Sequence, residues 1–250
     1  METSQKNKMP FWKVCRFNFW LYGLHVLSIV VLGLGFFPMI SIYYWVWKAM
    51  FTHVWWLKIF VFSLSIPLGY FVFGITLIFS AVFIKTLLAF KIKPGLFGFY
   101  DMGALNWMAY NSMILIVNGA FLDVLRISPF QTLFYRLMGA KVGNNVNVNT
   151  SGLADLSMLE IGDNVTIGGG VALICHAAER GLIRLAPTKI GNNVSIGLSS
   201  IIMPGCQIDE GAVIAPCSLV PKGSHIPARG YWGGNPLRDL RAERRAEREG

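Results

Sequence analysis

The sequence predicts a two-part molecule: an α-helical transmembrane hairpin followed by an all-β parallel solenoid with a six-residue repeat. Three observations carry this. Only 14% of the 250 residues are charged while 54% are hydrophobic, where ordinary globular chains are about a quarter charged. No Lys, Arg, Asp or Glu occurs from Phe17 to Trp47 or from Ile59 to Ile84. In the second half, aliphatic residues recur every sixth position. The composition excludes a disordered polymer, which would be polar and charge-rich. The net charge of +9 accompanies long uncharged runs, so it fits a membrane surface better than nucleic acid. The four cysteines form no CxxC pair, which gives no sign of a disulfide framework and fits a reducing compartment.

Residues 1–16 are read as a basic N-terminal segment, and residues 17–90 hold the two expected spans. Crossing hydrocarbon takes about 20 apolar residues, and both runs are long enough. Two successive spans argue against a cleaved signal peptide. Trp45, Trp47, Trp55 and Trp56 crowd the link, where an interfacial aromatic belt would sit. Lys6, Lys8, Lys13 and Arg16 precede the first span. Lys85, Lys91 and Lys93 end or follow the second, and the link holds only Lys48 and Lys58. The positive-inside rule then places both ends in the cytoplasm. Pro38 and Pro67 are expected to kink or end their helices. His25 and His53 read as packed or interfacial polar groups.

Residues 91–140 are expected to be membrane-associated linker helices. The stretch Leu105–Leu122 is uncharged but carries Asn106, Asn111 and Asn118. Unpaired amides are costly in lipid. A helix lying in the interface or packed on the first two is favoured over a third span.

The solenoid is expected over residues 141–237. Ile190, Ile196, Ile202, Ile208, Ile214, Val220 and Ile226 keep the six-residue step, as do Ile161, Ile167 and Leu173, and Val142 and Val148. A fixed short period marks a solenoid. Three six-residue faces close one triangular coil, and the repeated aliphatic stacks inward on its copies. Gly and Asn are expected to supply the turn conformations. The step breaks twice: thirteen residues separate Val148 from Ile161, and seventeen separate Leu173 from Ile190. The second break holds Cys175, His176, Glu179, Arg180 and Arg184. Chemistry is expected there, because loops on rigid scaffolds carry function. The tail, residues 238–250, alternates charge and favours a solvated helix.

His176 is the candidate general base, since neutral imidazole accepts protons near neutral pH. Glu179 is the candidate to orient it, or else a surface partner of Arg180 or Arg184. Asp155 and Glu160, near the first break, are weaker candidates to reach a site from a neighbouring subunit. His225 reads as a surface residue. Cys175 is a poor nucleophile candidate, because its neighbour His176 points the other way on an extended chain. Only His176 and His225 lie in the solenoid, which leaves no three-histidine metal site.

The segments His176, Ile190-Gly191-Asn192-Asn193-Val194, Met203-Pro204-Gly205 and Gly233-Gly234-Asn235-Pro236 resemble the left-handed β-helix hexapeptide-repeat acyltransferases, the sugar O-acetyltransferases in particular. That resemblance implies a left-handed parallel β-helix and a homotrimer. It implies acyl-CoA lying between neighbouring coils and a histidine that deprotonates the acceptor. It further implies Lys222 as a phosphate contact and Ser199 and Ser200 beside the pantetheine arm. Pro216 lacks the backbone N–H that the family often offers there. A broader resemblance joins Lys93-Pro94-Gly95, residues 105–125 and Phe134-Tyr135-Arg136-Leu137-Met138-Gly139-Ala140-Lys141-Val142-Gly143 to the membrane-linked C-terminal hexapeptide domains of polylysine-synthetase-like enzymes. This chain departs from them in having one hexapeptide module and no adenylation or carrier domain. A homotrimer would restore three modules.

The expected activity is acyl transfer from acyl-CoA to a hydroxyl or amine, at the cytoplasmic face of a cytoplasmic membrane, with membrane lipids as surroundings. One alternative is amide-bond formation from a thioester held by an acyl or peptidyl carrier protein. The other is a non-catalytic trimeric membrane scaffold. No metal and no nucleic acid are expected.

Overall fold

The computed structural model describes residues 10–90 and 92–249; Lys6, Lys8 and Lys91 of the orientation argument lie outside them. Helix α1 spans Phe11–Ala49 and α2 spans Trp55–Leu87. They pack as an antiparallel pair, and each is long and apolar enough to cross a membrane. Pro38 and Pro67 end neither helix; both sit inside continuous α-helix. The four link tryptophans are all exposed.

The linker is more varied than a set of helices. It opens with strand β1 (Gly95–Gly98), continues with α3 (Met102–Val117) and a π-helical turn (Asn118–Leu122), and ends with α4 (Pro129–Met138). α3 is a packed helix. The buried amides of α3 and the π-helical turn face the solenoid: Asn111 Nδ2 donates to Asp155 at 2.7 Å and Asn118 Nδ2 to the Ser151 carbonyl at 3.0 Å. Gly74 of α2 admits the Phe121 ring, since a Cβ there would lie 2.0 Å from it. Tyr110 Oη donates to the Met138 carbonyl at 2.8 Å and ties α3 to α4. Gly139, at φ +111°, caps α4 in the left-handed conformation, the usual glycine stop.

From Lys141 the chain winds into a left-handed β-helix of two- and three-residue strands. Residues eighteen apart stack in parallel register, as Ile196 does on Ile214 and Ile202 on Val220. The repeated aliphatics from Val148 to Ile226 are all buried. The glycines divide into two sets. Gly162, Gly168, Gly191 and Gly197 directly follow inward aliphatics, yet none has positive φ. They are needed for space, because a Cβ on any of them would lie within 3.0 Å of atoms in the next coil. The left-handed corners are taken, as expected, mostly by Asn and Gly: Asn145, Asn164, Asn193, Gly170, Gly205, Gly211 and Gly223, joined by Ser199, Cys217 and Arg229.

Both breaks in the period are structural insertions. The first holds Asp155, at φ +55°, and a 3-10 turn, Leu156–Met158. The second is a β-hairpin, His176–Glu179 against Leu182–Leu185, and β1 adds to its outer strand, Phe97 facing Ile183. The linker thus completes a three-stranded antiparallel sheet on the solenoid. At the C-terminus, exposed helix α5 (Leu240–Glu249) places Arg244 over the Tyr231 ring.

Candidate active site

The two breaks meet. Asp155 is fully buried and its carboxylate accepts four hydrogen bonds. Oδ2 faces His176 Nδ1 at 2.6 Å and takes the Cys175 backbone N–H at 2.8 Å. Oδ1 takes the indole N–H of Trp107 at 2.5 Å and the Asn111 amide at 2.7 Å. Asn111 completes the exchange by accepting the Asp155 backbone N–H at 3.0 Å. Trp107 and Asn111 are one turn apart on α3 and therefore share a face. The Trp107 ring also rests on the imidazole, with centroids 4.7 Å apart.

A carboxylate only accepts, so Nδ1 of His176 carries the proton and Nε2 is left as the free basic nitrogen. The imidazole side chain is 27% exposed, against 0% for Asp155, so its free edge reaches solvent. Burial pushes the Asp155 carboxyl up. The hydrogen bond and charge of His176, with the bonds from Trp107 and Asn111, outweigh it and hold the group below the usual carboxylate range. The stabilisation follows the depressed-acid pattern. It is fully present above the unfolded value of about 3.9 and is lost as pH falls through the lower folded value. Thermal melts should therefore show wild type losing more stability than Asp155→Asn below about pH 4. Parallel acid profiles would contradict this.

Among the other sequence candidates, Glu179 needs correcting first. It ends the strand that His176 begins, and residues three apart on a strand face opposite ways. Its carboxylate pairs with Lys222, which holds it low. Asp155 occupies the orienting position instead, from the same chain and not from a neighbouring subunit. Glu160 lies between Lys141, at 2.8 Å, and Lys189, at 3.7 Å, on an exposed sheet face. His225 pairs with Asp209 at 2.7 Å, also exposed. Ser199 is an exposed corner residue. Ser200 is buried, and its hydroxyl donates to the Ala215 carbonyl at 3.0 Å and accepts the Ser218 N–H at 3.2 Å; it is a coil-stacking residue closed off from the surface. Cys175 is buried and its thiol is pushed up to about 12 by that burial, so it stays protonated. Among the described residues no group of three metal-ligating side chains occurs.

Trp107 and Asn111 were not singled out by sequence reasoning as site residues. The available signal was a Trp and an Asn four apart in an otherwise apolar helix, together with the cost of an unpaired amide.

Residues 187–222 match the bacterial transferase hexapeptide (six repeats) family. Delta-poly-L-ornithine synthetase of Acinetobacter baumannii (strain AB307-0294) is 28% identical over 116 residues, 46% of this chain; the chain spans only 9% of that protein's length. "Putative acetyltransferase YvoF" of Bacillus subtilis (strain 168) is 28% identical over 142 residues, 53% of this chain and 81% of that protein. A hexapeptide-repeat acetyltransferase of Vibrio cholerae O1 biovar eltor, solved with acetyl coenzyme A, aligns over 61% of this chain and 96% of its own, with 19% identity and a TM-score of 0.44. The fold and the repeat thus define a hexapeptide-repeat left-handed β-helix carrying an N-terminal helical hairpin. The resemblances to hexapeptide-repeat acyltransferases and to polylysine-synthetase-like enzymes both hold for this chain.

Proposed function

We propose that this protein is a membrane-anchored acyltransferase that moves an acyl group from acyl-CoA to a hydroxyl or amine, with His176 as general base. The observation that carries the reading is the His176–Asp155 pair, buried on the aspartate side and open at Nε2. Similarity to the bacterial transferase hexapeptide family and to the acetyltransferase-type relative supports the transfer chemistry.

Nε2 takes the proton of the acceptor O–H or N–H as that atom bonds to the acyl carbon. Asp155 holds the ring and stabilises the imidazolium that forms. The C–S bond then breaks, and the imidazolium returns its proton to the leaving sulfur. The thioester supplies the activated carbonyl. The fit of this chain to CoA is partial. Ser199 and Lys222 are accessible, and a phosphate could replace Glu179 on the Lys222 ammonium. Ser200 is buried with its hydroxyl hydrogen already donated, and Pro216 has no backbone N–H to offer.

Helices α1 and α2 form the anchor in this reading, with the solenoid on the cytoplasmic side. Lys13, Arg16, Lys85 and Lys93 mark the solenoid end of the hairpin, and Lys48 and Lys58 its tip. A homotrimer is part of the proposal by family likeness. A second reading, a carrier-bound aminoacyl donor, is favoured by the similarity to the poly-ornithine synthetase.

CoA release from acetyl-CoA by the detergent-purified protein tests the first reading. Wild type and His176→Ala should bind CoA alike, while turnover falls by roughly 10²–10⁴-fold in the variant. Absence of CoA binding in both would remove acyl-CoA as donor and leave the carrier-bound thioester.

A further inference from the structure

Against helix α3, which also carries the dyad's partners Trp107 and Asn111, lies a hollow that the transfer chemistry does not use. It is an open, mostly apolar groove of about 330 Å³, bounded by Phe19, Gly23 and Leu27 of α1, by Phe90 after α2, and by Asn106 and Ala109 of α3. That is within the range of small-ligand sites. It sits at the solenoid end of the hairpin, where α1 begins and α2 finishes. Its polar lining groups are the Asn106 carboxamide and the indole N–H of Trp20, and Asn106 alone can both donate and accept. Asn111 and Asn118 of the same segment are bonded to Asp155 and to the Ser151 carbonyl; the Asn106 carboxamide has no partner among the described residues. At the rim, one turn before Phe19, Arg16 has a buried Nε without a partner, while its Nη2 donates to the Tyr100 carbonyl.

The position matters most. Asn106 precedes Trp107, the residue that bonds Asp155 and covers His176. Helix α3 therefore shows one face to the groove and the adjoining face to the dyad. A hydrocarbon chain suits the walls, and a polar head suits the Asn106 amide, one residue before the Trp107 that covers the base. We propose that this groove holds the chain of an amphipathic, single-chain lipid acceptor. Its hydroxyl or amine head hydrogen-bonds Asn106 and is thereby presented to Nε2 of His176. This rests on the acyl-transfer reading and names its acceptor class.

Glycine gives the test. A Cβ on Gly23 would meet nothing within 4 Å, and the same holds for Gly33, which lies on α1 outside the groove. Gly23→Phe therefore fills the groove without a backbone clash, and Gly33→Phe is its control. The probe is a diazirine-bearing hexadecanol, crosslinked to the full-length protein in detergent and mapped by mass spectrometry. Labelling is expected on Phe19–Leu27 and around Asn106, competed by hexadecanol better than by hexadecane. It should fall about tenfold in Gly23→Phe and hold in Gly33→Phe. In Asn106→Leu hexadecanol should lose most of its advantage over hexadecane. Labelling spread evenly along α1, or unmoved by Gly23→Phe, would mean ordinary surrounding lipid and overturn the proposal. Intact site-specific labelling in a protein without thioester turnover would support the groove and sink the transfer reading instead.

Discussion

Asp155→Asn is expected to lower turnover by roughly 10²–10⁴-fold, the usual weight of a general base, while the chain stays folded. The buried side chain meets four donors: His176, the Cys175 N–H, Trp107 and Asn111. A carboxylate satisfies all four and an amide cannot. If the new oxygen stays toward His176, the new NH2 group confronts the Trp107 and Asn111 donors, at a cost of about 1–3 kcal/mol for an unsatisfied buried group. If the amide flips, its N–H points at Nδ1. The ring must then carry its proton on Nε2, and the basic lone pair is turned inward. The backbone is not the problem, since Asn tolerates the φ of +55° found here better than most residues.

Asp155 acts through His176, so a rate loss alone does not distinguish positioning from a structural role. Two further readouts do. The double variant Asp155→Asn/His176→Ala should be no slower than His176→Ala, because residues acting as a unit are non-additive. The pH profile of kcat should also change form in Asp155→Asn. Additive losses with an unchanged profile would reduce Asp155 to a structural residue.

The contrast between fold and site shows what a sequence displays. The solenoid was legible because each coil repeats one physical demand at a fixed step. Every inward aliphatic from Val148 to Ile226 meets the same stack, so the period is written along the chain. The breaks in the period were legible as well, and both site insertions lie in them. What joins them was not. Asp155 precedes His176 by 21 residues, and Trp107 precedes Asp155 by 48. No local pattern records that pairing. Glu179 had the attraction of nearness, yet strand alternation turns it away from His176. Asn111 was visible only as a cost, an amide that had to be paired somewhere. Strand β1 was hidden for a related reason. Four residues, Gly95–Gly98, carry too little pattern to announce a strand, and their partner, Leu182–Leu185, lies far along the chain.

Gly197→Ala is expected to destabilise the protein by about 1–3 kcal/mol, the range for overpacking, and Gly197→Val by more. Stacked coils share the ordinary strand spacing of about 4.8 Å, and a corner residue that packs over the next corner has little room above it. At Gly197 a Cβ would lie 2.4 Å from the Pro216 nitrogen and 2.7 Å from the Ala215 carbonyl carbon. Both are backbone atoms, so no side-chain rotation relieves the contact. The neighbouring coil must shift, and with it the register of Ile196 on Ile214. Conformation makes no contribution, because Gly197 does not adopt positive φ. Asn193 gives the opposite case. It is left-handed at φ +57°, so replacement by Gly should be tolerated there, and Ala should cost roughly 1–2 kcal/mol through the backbone alone. Thermal unfolding of the detergent-purified chain separates the two demands. A melting point lowered by roughly 2–12 °C in Gly197→Ala, with Asn193→Gly near wild type, is the expected pattern. A Gly197→Ala protein that melts with wild type would mean that adjacent coils can part at this corner, and that the glycine after each inward aliphatic is not required for space.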